Sequence, residues 1–248
     1  MSVNVQKTKS VGLVSLFLIS LFMAMVSTTP TVMAINDTSS GTLTGTETWT
    51  GVMNLDGDLL VAGGAKLIIN GNTVVNIPAN KSISVEGSIC AGDSSCGASG
   101  SGPIRFVWAS PGATDPNQTG SCYVTGIFNP DVSCGSGIYL SPTIDQSLTK
   151  LNQISLEGAY GIPIDIDGQG SYKYGALIFD GASLSVTNPT FSDINTTNIL
   201  AINGASPTID GGTFEVGVDE QGYRGSAILA YGAGAGSVVM QILNADFT

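Results

Sequence analysis

The chain has 248 residues, 33 glycines and no histidine, and only 11% of it is charged, against about 25% in an average globular protein. A formal net charge of −11, from 8 Lys and Arg against 19 Asp and Glu, argues against a sequence-independent nucleic-acid binder, which needs clustered cations to displace phosphate counterions. Without histidine there is no Ser-His-Asp or Cys-His nucleophile site and no His-ligated metal, while 42% apolar residues suffice for a core.

The first predicted element is a targeting signal. Lys7 and Lys9 precede the apolar run Val11 to Val26, and the polar stretch STTPTVMA follows with Val32-x-Ala34 as the small-residue cleavage pattern. Residues 1–34 therefore read as a secretory signal peptide cut after Ala34, which makes the mature chain secreted or cell-surface. An uncleaved anchor is the rival reading, but 16 apolar-leaning residues fall short of the ~20 that span a bilayer, and Pro30 interrupts any continuing helix. No later stretch is long and apolar enough to be a membrane helix, so no span is expected once the signal is removed, and no lipobox cysteine follows it.

Export makes Cys90, Cys96, Cys122 and Cys134 candidates for two disulfides. Three connectivities are open. Cys90–Cys96 with Cys122–Cys134 is favoured, because each pair closes a Gly/Ser/Pro-rich excursion between strand-like runs. A four-thiolate zinc site is the alternative, and its short cysteine knuckle is missing. Export also gives meaning to the sequons at Asn36, Asn80, Asn117 and Asn195, provided the host glycosylates exported proteins.

Residues 35–48 are polar and read as a flexible lead-in. From Trp49 to Thr248 short β-branched runs alternate with Gly, Asn and Asp: Leu59-Leu60-Val61, Leu67-Ile68-Ile69, Val74 to Ile77, Ile83-Ser84-Val85 and Ile104 to Trp108. That is strand-turn-strand texture, and no amphipathic helical segment of ten or more residues occurs outside the signal. A cysteine-bearing excursion is expected around residues 90–134.

Repeats decide which all-β fold is expected. Residues 177–191 (LIFDGASLSVTNPTF) and 200–214 (LAINGASPTIDGGTF) align without gaps at an offset of 23, matching Leu177 with Leu200, Val186 with Ile209 and Phe191 with Phe214. A third copy runs from Ile228 to Phe247 with an insertion of ten, and an earlier one ends at Leu156, 35 residues before Phe191. Asn188, Gly211 and Asn244 share one position, which reads as a left-handed corner between two short strands. A unit of this length with three short strands suits a right-handed parallel β-helix, in which equivalent apolar residues stack at ~4.8 Å. A β-sandwich or barrel is the alternative, and it does not ordinarily repeat a motif in register at a fixed offset.

The stretch Trp49 to Trp108 (WTGVMNLDGDLLVAGGAKLIINGNTVVNIP…PIRFVW) resembles the opening rungs of exported parallel β-helix proteins of bacterial and archaeal surfaces, relatives of the pectate-lyase-like superfamily. The resemblance covers most of residues 49–248 as a pattern of apolar spacing and corners, so it implies a fold far more than an activity. Lyases of that superfamily use Arg or Lys near an acidic Ca²⁺ cluster, and its hydrolases use an Asp set with a histidine that this chain lacks.

Two inserted segments carry the candidate site. GQGSYKYG and DEQGYRGS place Tyr172, Lys173, Tyr174, Tyr223 and Arg224 beside Asp219 and Glu220, if both leave the same corner. Aromatics beside a few polar groups suit sugar stacking and hydrogen bonding, though solvated loops that meet nothing are the plainer reading. Asp165 and Asp167 are candidate oxygen ligands for Ca²⁺, and together with Asp210, Asp219 and Glu220 could supply paired acids for glycoside hydrolysis. Asp167-Gly168 equally suits a plain corner. The Gly-rich residues 97–102 lack the Lys of a phosphate loop.

The expected function is a non-catalytic secreted or cell-surface β-helix module with a structural, coat or adhesive role. The alternative is a carbohydrate-active protein: a polysaccharide lyase, a glycoside hydrolase or a glycan-binding domain. Extracellular glycan or cell-surface components are the expected partners, with no cofactor other than Ca²⁺. The sequence stops on Phe247-Thr248, the rung position of Phe214-Glu215, without a polar cap. A longer solenoid, or self-association through an uncapped last rung, is the corresponding expectation.

Overall fold

A computed structural model describes residues 40–109, 135–166, 172–194, 196–215, 226–232 and 237–248, all within the unit Asn36–Thr248. The signal-like segment 1–34 lies outside the described residues.

Each turn of the chain lays down three short strands. The first rung is β1 (Gly41–Leu43), β2 (Thr46–Trp49) and β3 (Val52–Asn54), and the second is β4 (Leu59–Val61), β5 (Lys66–Ile69) and β6 (Val74–Ile77). The third is β7 (Ser82–Val85), β8 (Ser88–Ala91) and β9 (Ile104–Trp108), and the fourth β10 (Gly137–Leu140), β11 (Lys150–Asn152) and β12 (Ile154–Glu157). After the extra strand β13 (Ile162–Asp165) the fifth rung is β14 (Tyr172–Asp180), β15 (Ser185–Thr187) and β16 (Thr190–Ser192). The sixth is β17 (Thr197–Ile202), β18 (Thr208–Asp210) and β19 (Thr213–Phe214), and the seventh β20 (Ile228–Tyr231), β21 (Gln241–Leu243) and β22 (Asp246–Phe247).

Equivalent strands of successive rungs pair in parallel to make three sheets. The first sheet runs β1-β4-β7-β10-β14-β17-β20, the second β2-β5-β8-β11-β15-β18-β21 and the third β3-β6-β9-β12-β16-β19-β22. This is a right-handed parallel β-helix. Among the described strands only β13 pairs antiparallel, against the start of β14.

Alternate residues of each strand point inward, and the register stacks them into columns. In the third sheet Met53, Val75, Phe106, Leu156, Phe191, Phe214 and Phe247 follow one another rung by rung. Phe191 and Phe214 stack with ring centroids 5.1 Å apart, and Phe214 and Phe247 at 5.2 Å. In the second sheet Trp49, Ile69, Ala91, Leu151, Val186 and Ile209 form the matching column. All of these residues are buried except Phe247, which is exposed. The corner between the second and third sheets has left-handed backbone at Gln153, Asn188, Gly211 and Asn244, with φ of 52°, 48°, 75° and 51°. Asn and Gly recur at this position because they enter that region with least steric cost.

The structure differs from the sequence expectation in three places. Strand β1 and all of β2 but Trp49 lie within residues 35–48, read above as a lead-in, so the solenoid begins by Gly41. The excursion around 90–134 is interrupted by β9, which returns the chain to the core. The third difference is register: Leu177 pairs with Ile199, and Leu200 pairs with Ile178. Asn203, with φ of 54°, is an extra corner residue ahead of Gly204, so the first sheet repeats at 22 residues where the other two repeat at 23.

That slip by one residue exchanges the faces of a strand. Leu177 and Ile199 point into the core, whereas Ile178, Leu200 and Ile202 form a second buried cluster on the outer face of the first sheet. Ile162, Ile164 and Ile166, from β13 and the residue after it, pack on that cluster together with Tyr139, Leu229 and Tyr231.

Candidate functional site

Three long connections, residues 109–136, 158–171 and 215–227, all join the third sheet to the first and so leave the helix at one corner. Tyr172–Tyr174 lie at that edge, at the start of β14. Tyr223, Arg224, Asp219 and Glu220 themselves lie outside the described residues, as does Asp167.

Tyr172, Lys173 and Tyr174 are on the part of β14 that overhangs the sheet. There they face Asp165, Ile164 and Pro163 of β13 across an antiparallel hairpin. Both tyrosines are half-buried, and Lys173 and Asp165 are exposed. The alternation of β14 puts the two aromatic side chains on one side of the hairpin and Lys173 on the other. The sequence reading missed the company these tyrosines keep. Every described tyrosine, Tyr139, Tyr160 and Tyr231 included, lies on the first sheet or in the connection that leads into β14. The outer-face alternation of β10 and β20 is the signal that could have found Tyr139 and Tyr231.

Tyr139 is held by its neighbours. Its hydroxyl donates to Asp180 Oδ2 at 2.5 Å, and Asn203 Nδ2 donates to Oδ1 of the same carboxylate at 2.7 Å. Burial, reinforced by the Asp180 carboxylate, keeps the Tyr139 hydroxyl protonated far above the ordinary tyrosine range.

A second feature lies at the corner between the second and third sheets. Thr187, Thr190, Asp210, Thr213, Asn244 and Asp246 rim an open hollow of about 450 Å³ that spans the fifth to seventh rungs. Gly211 and Gly212 line it and have no room for a side chain. A Cβ at Gly211 would stand 2.1 Å from Asn188 Oδ1, and one at Gly212 would stand 2.3 Å from the carbonyl oxygen of Pro189. Asn244 Nδ2 donates to Asp210 Oδ1 at 3.0 Å. Hydroxyls, amides and two carboxylates can hydrogen-bond a polar ligand here. Sequence reasoning named Asp210 as a candidate acid, and Asn188, Gly211 and Asn244 only as corner residues.

On the outer face of the third sheet Arg105 forms a two-pronged pair with Glu157, Nε donating to Oε1 at 2.8 Å and Nη2 to Oε2 at 2.6 Å. The Arg105 hydrogen bonds, aided by Ser155, hold the Glu157 carboxyl below the usual glutamate range. The pair links the third and fourth rungs. Among the described residues no three acidic or cysteine side chains gather as a metal cluster. No helix among them is long and apolar enough to cross a membrane.

Cys90 and Cys96 form a disulfide across the short 3₁₀ turn Ser94–Cys96. Asp93 caps that turn by accepting from the Ser95 amide at 2.8 Å. The excursion then folds back on the second rung, where the Ser99 amide donates to Asn70 Oδ1 at 2.7 Å. Cys122 and Cys134 lie outside the described residues. Of the sequons, Asn80 sits half-buried at the corner between β6 and β7 with φ of 59°, and Asn36, Asn117 and Asn195 lie outside the described residues.

Compared with known protein families, with curated proteins and with solved structures, the chain matches none.

Proposed function

We propose that this chain is a non-catalytic module of a secreted or cell-surface protein, a stiff β-helical rod with a structural, coat or adhesive role. The observation that carries this reading is the stapling of rung to rung along the outside. Asn76 Nδ2 donates to Asn54 Oδ1 at 2.8 Å, and the Ser82 amide to Asp58 Oδ1 at 2.9 Å. The Ser206 amide donates to Ser183 Oγ at 3.1 Å, and Asn244 and Asn203 bridge rungs through Asp210 and Asp180. Short polar side chains thus bond to the next rung along much of the stack, as suits a rod that must hold its shape outside the cell. The disulfide and the signal-like sequence of residues 1–34 agree with an exported address. The likeness of Trp49–Trp108 to exported surface relatives of the pectate-lyase-like superfamily points the same way.

The test is to incubate purified residues 35–248 with pectin, alginate, glycosaminoglycans and neutral glucans. Neither unsaturated products absorbing near the ultraviolet nor new reducing ends are expected. Intact cells of the native host treated with protease should lose the protein. Turnover of any polymer, or full protection from the protease, overturns the proposal.

A second reading is glycan binding without turnover. It is favoured by Tyr172 and Tyr174, which share one side of the β13–β14 hairpin with Asp165 paired opposite Tyr172. On this reading a glycan array returns a defined ligand. Tyr172→Ala combined with Tyr174→Ala should weaken its binding about tenfold or more, and unchanged binding would rule out that side of the hairpin as the site.

A further inference from the structure

No further inference is drawn: the strongest candidate, the hollow at the corner between the second and third sheets where Asp210 and Asp246 flank Gly211 and Gly212, is an acidic cluster with no second observation to say what would occupy it.

Discussion

Asp180 of the fifth rung accepts the Tyr139 hydroxyl from the fourth and the Asn203 side-chain amide from the sixth, one on each carboxylate oxygen. A single side chain on the outer face thereby ties three successive rungs together. It does so beside the cluster of Ile178, Leu200 and Ile202, where bulk water is displaced and such bonds are stronger than at an open surface.

The Tyr139 staple makes stability fall in alkali. A hydroxyl whose pKa is raised by folding binds its proton more tightly in the folded chain. Its contribution is complete below the unfolded tyrosine value of about 10 and is lost as pH rises above it. Tyr139→Phe is expected to cost about 1–2 kcal/mol at neutral pH, and to flatten the decline in stability between about pH 10 and 11. Urea unfolding at several pH values measures both. A variant with the parent's alkaline slope would show that Tyr139 is not the group responsible.

The aromatic column is the most sensitive part of the core. Phe214 is wholly buried between Phe191 and Phe247, so Phe214→Ala removes two ring contacts and leaves a cavity. The expected loss is about 3–5 kcal/mol, with Phe214→Leu well below it. Denaturant midpoints at constant m-value give the comparison.

Close stacking sets a sharp contrast between two glycines. A Cβ at Gly87 would lie 2.3 Å from the Ala65 carbonyl oxygen and 2.4 Å from that of Ala62, whereas one at Gly45 would meet nothing within 4 Å. Gly87→Ala is therefore expected to destabilise by about 1–3 kcal/mol or more, and Gly45→Ala to stay within about 0.5 kcal/mol of the parent. Equal melting temperatures for the two would mean that the second and third rungs are not packed as described.

Much of the architecture was legible because a solenoid writes it repeatedly. The Asn188, Gly211 and Asn244 corner, the Leu156-Phe191-Phe214-Phe247 column and the Val186-Ile209 column all follow from spacing, since one residue type answers one local demand in every rung. The first sheet was misregistered for an equally physical reason. In β14 and β17 both faces are buried, so Leu177-Ile178-Phe179 and Ile199-Leu200-Ala201 are continuous apolar runs without the alternation that betrays a face. A gapless alignment could not see that Asn203 belongs to the corner. The candidate site was harder still to read, because Tyr172 and Tyr174 gain their partners from β13, a strand outside the repeat.

The outer cluster offers a test of that register. Leu200 on the outer face is wholly buried, so Leu200→Ala should cost about 2–5 kcal/mol, as a core substitution does. Thr213→Ala, on the exposed outer face of the third sheet, should change stability by no more than about 0.5 kcal/mol. If Leu200→Ala proves as mild as Thr213→Ala, the outer cluster is not a second core.

The shared departure point of residues 109–136, 158–171 and 215–227 has a consequence for how such a chain can change. The tight corner between the second and third sheets resets the register in most rungs, so residues can be added at the opposite edge without disturbing the pairing of any strand. The edge between the third and first sheets is thus one place where the fold accepts extra chain, as the Cys90–Cys96 excursion between β8 and β9 is another. An engineer could graft a foreign peptide at that edge while the strands on either side keep their partners.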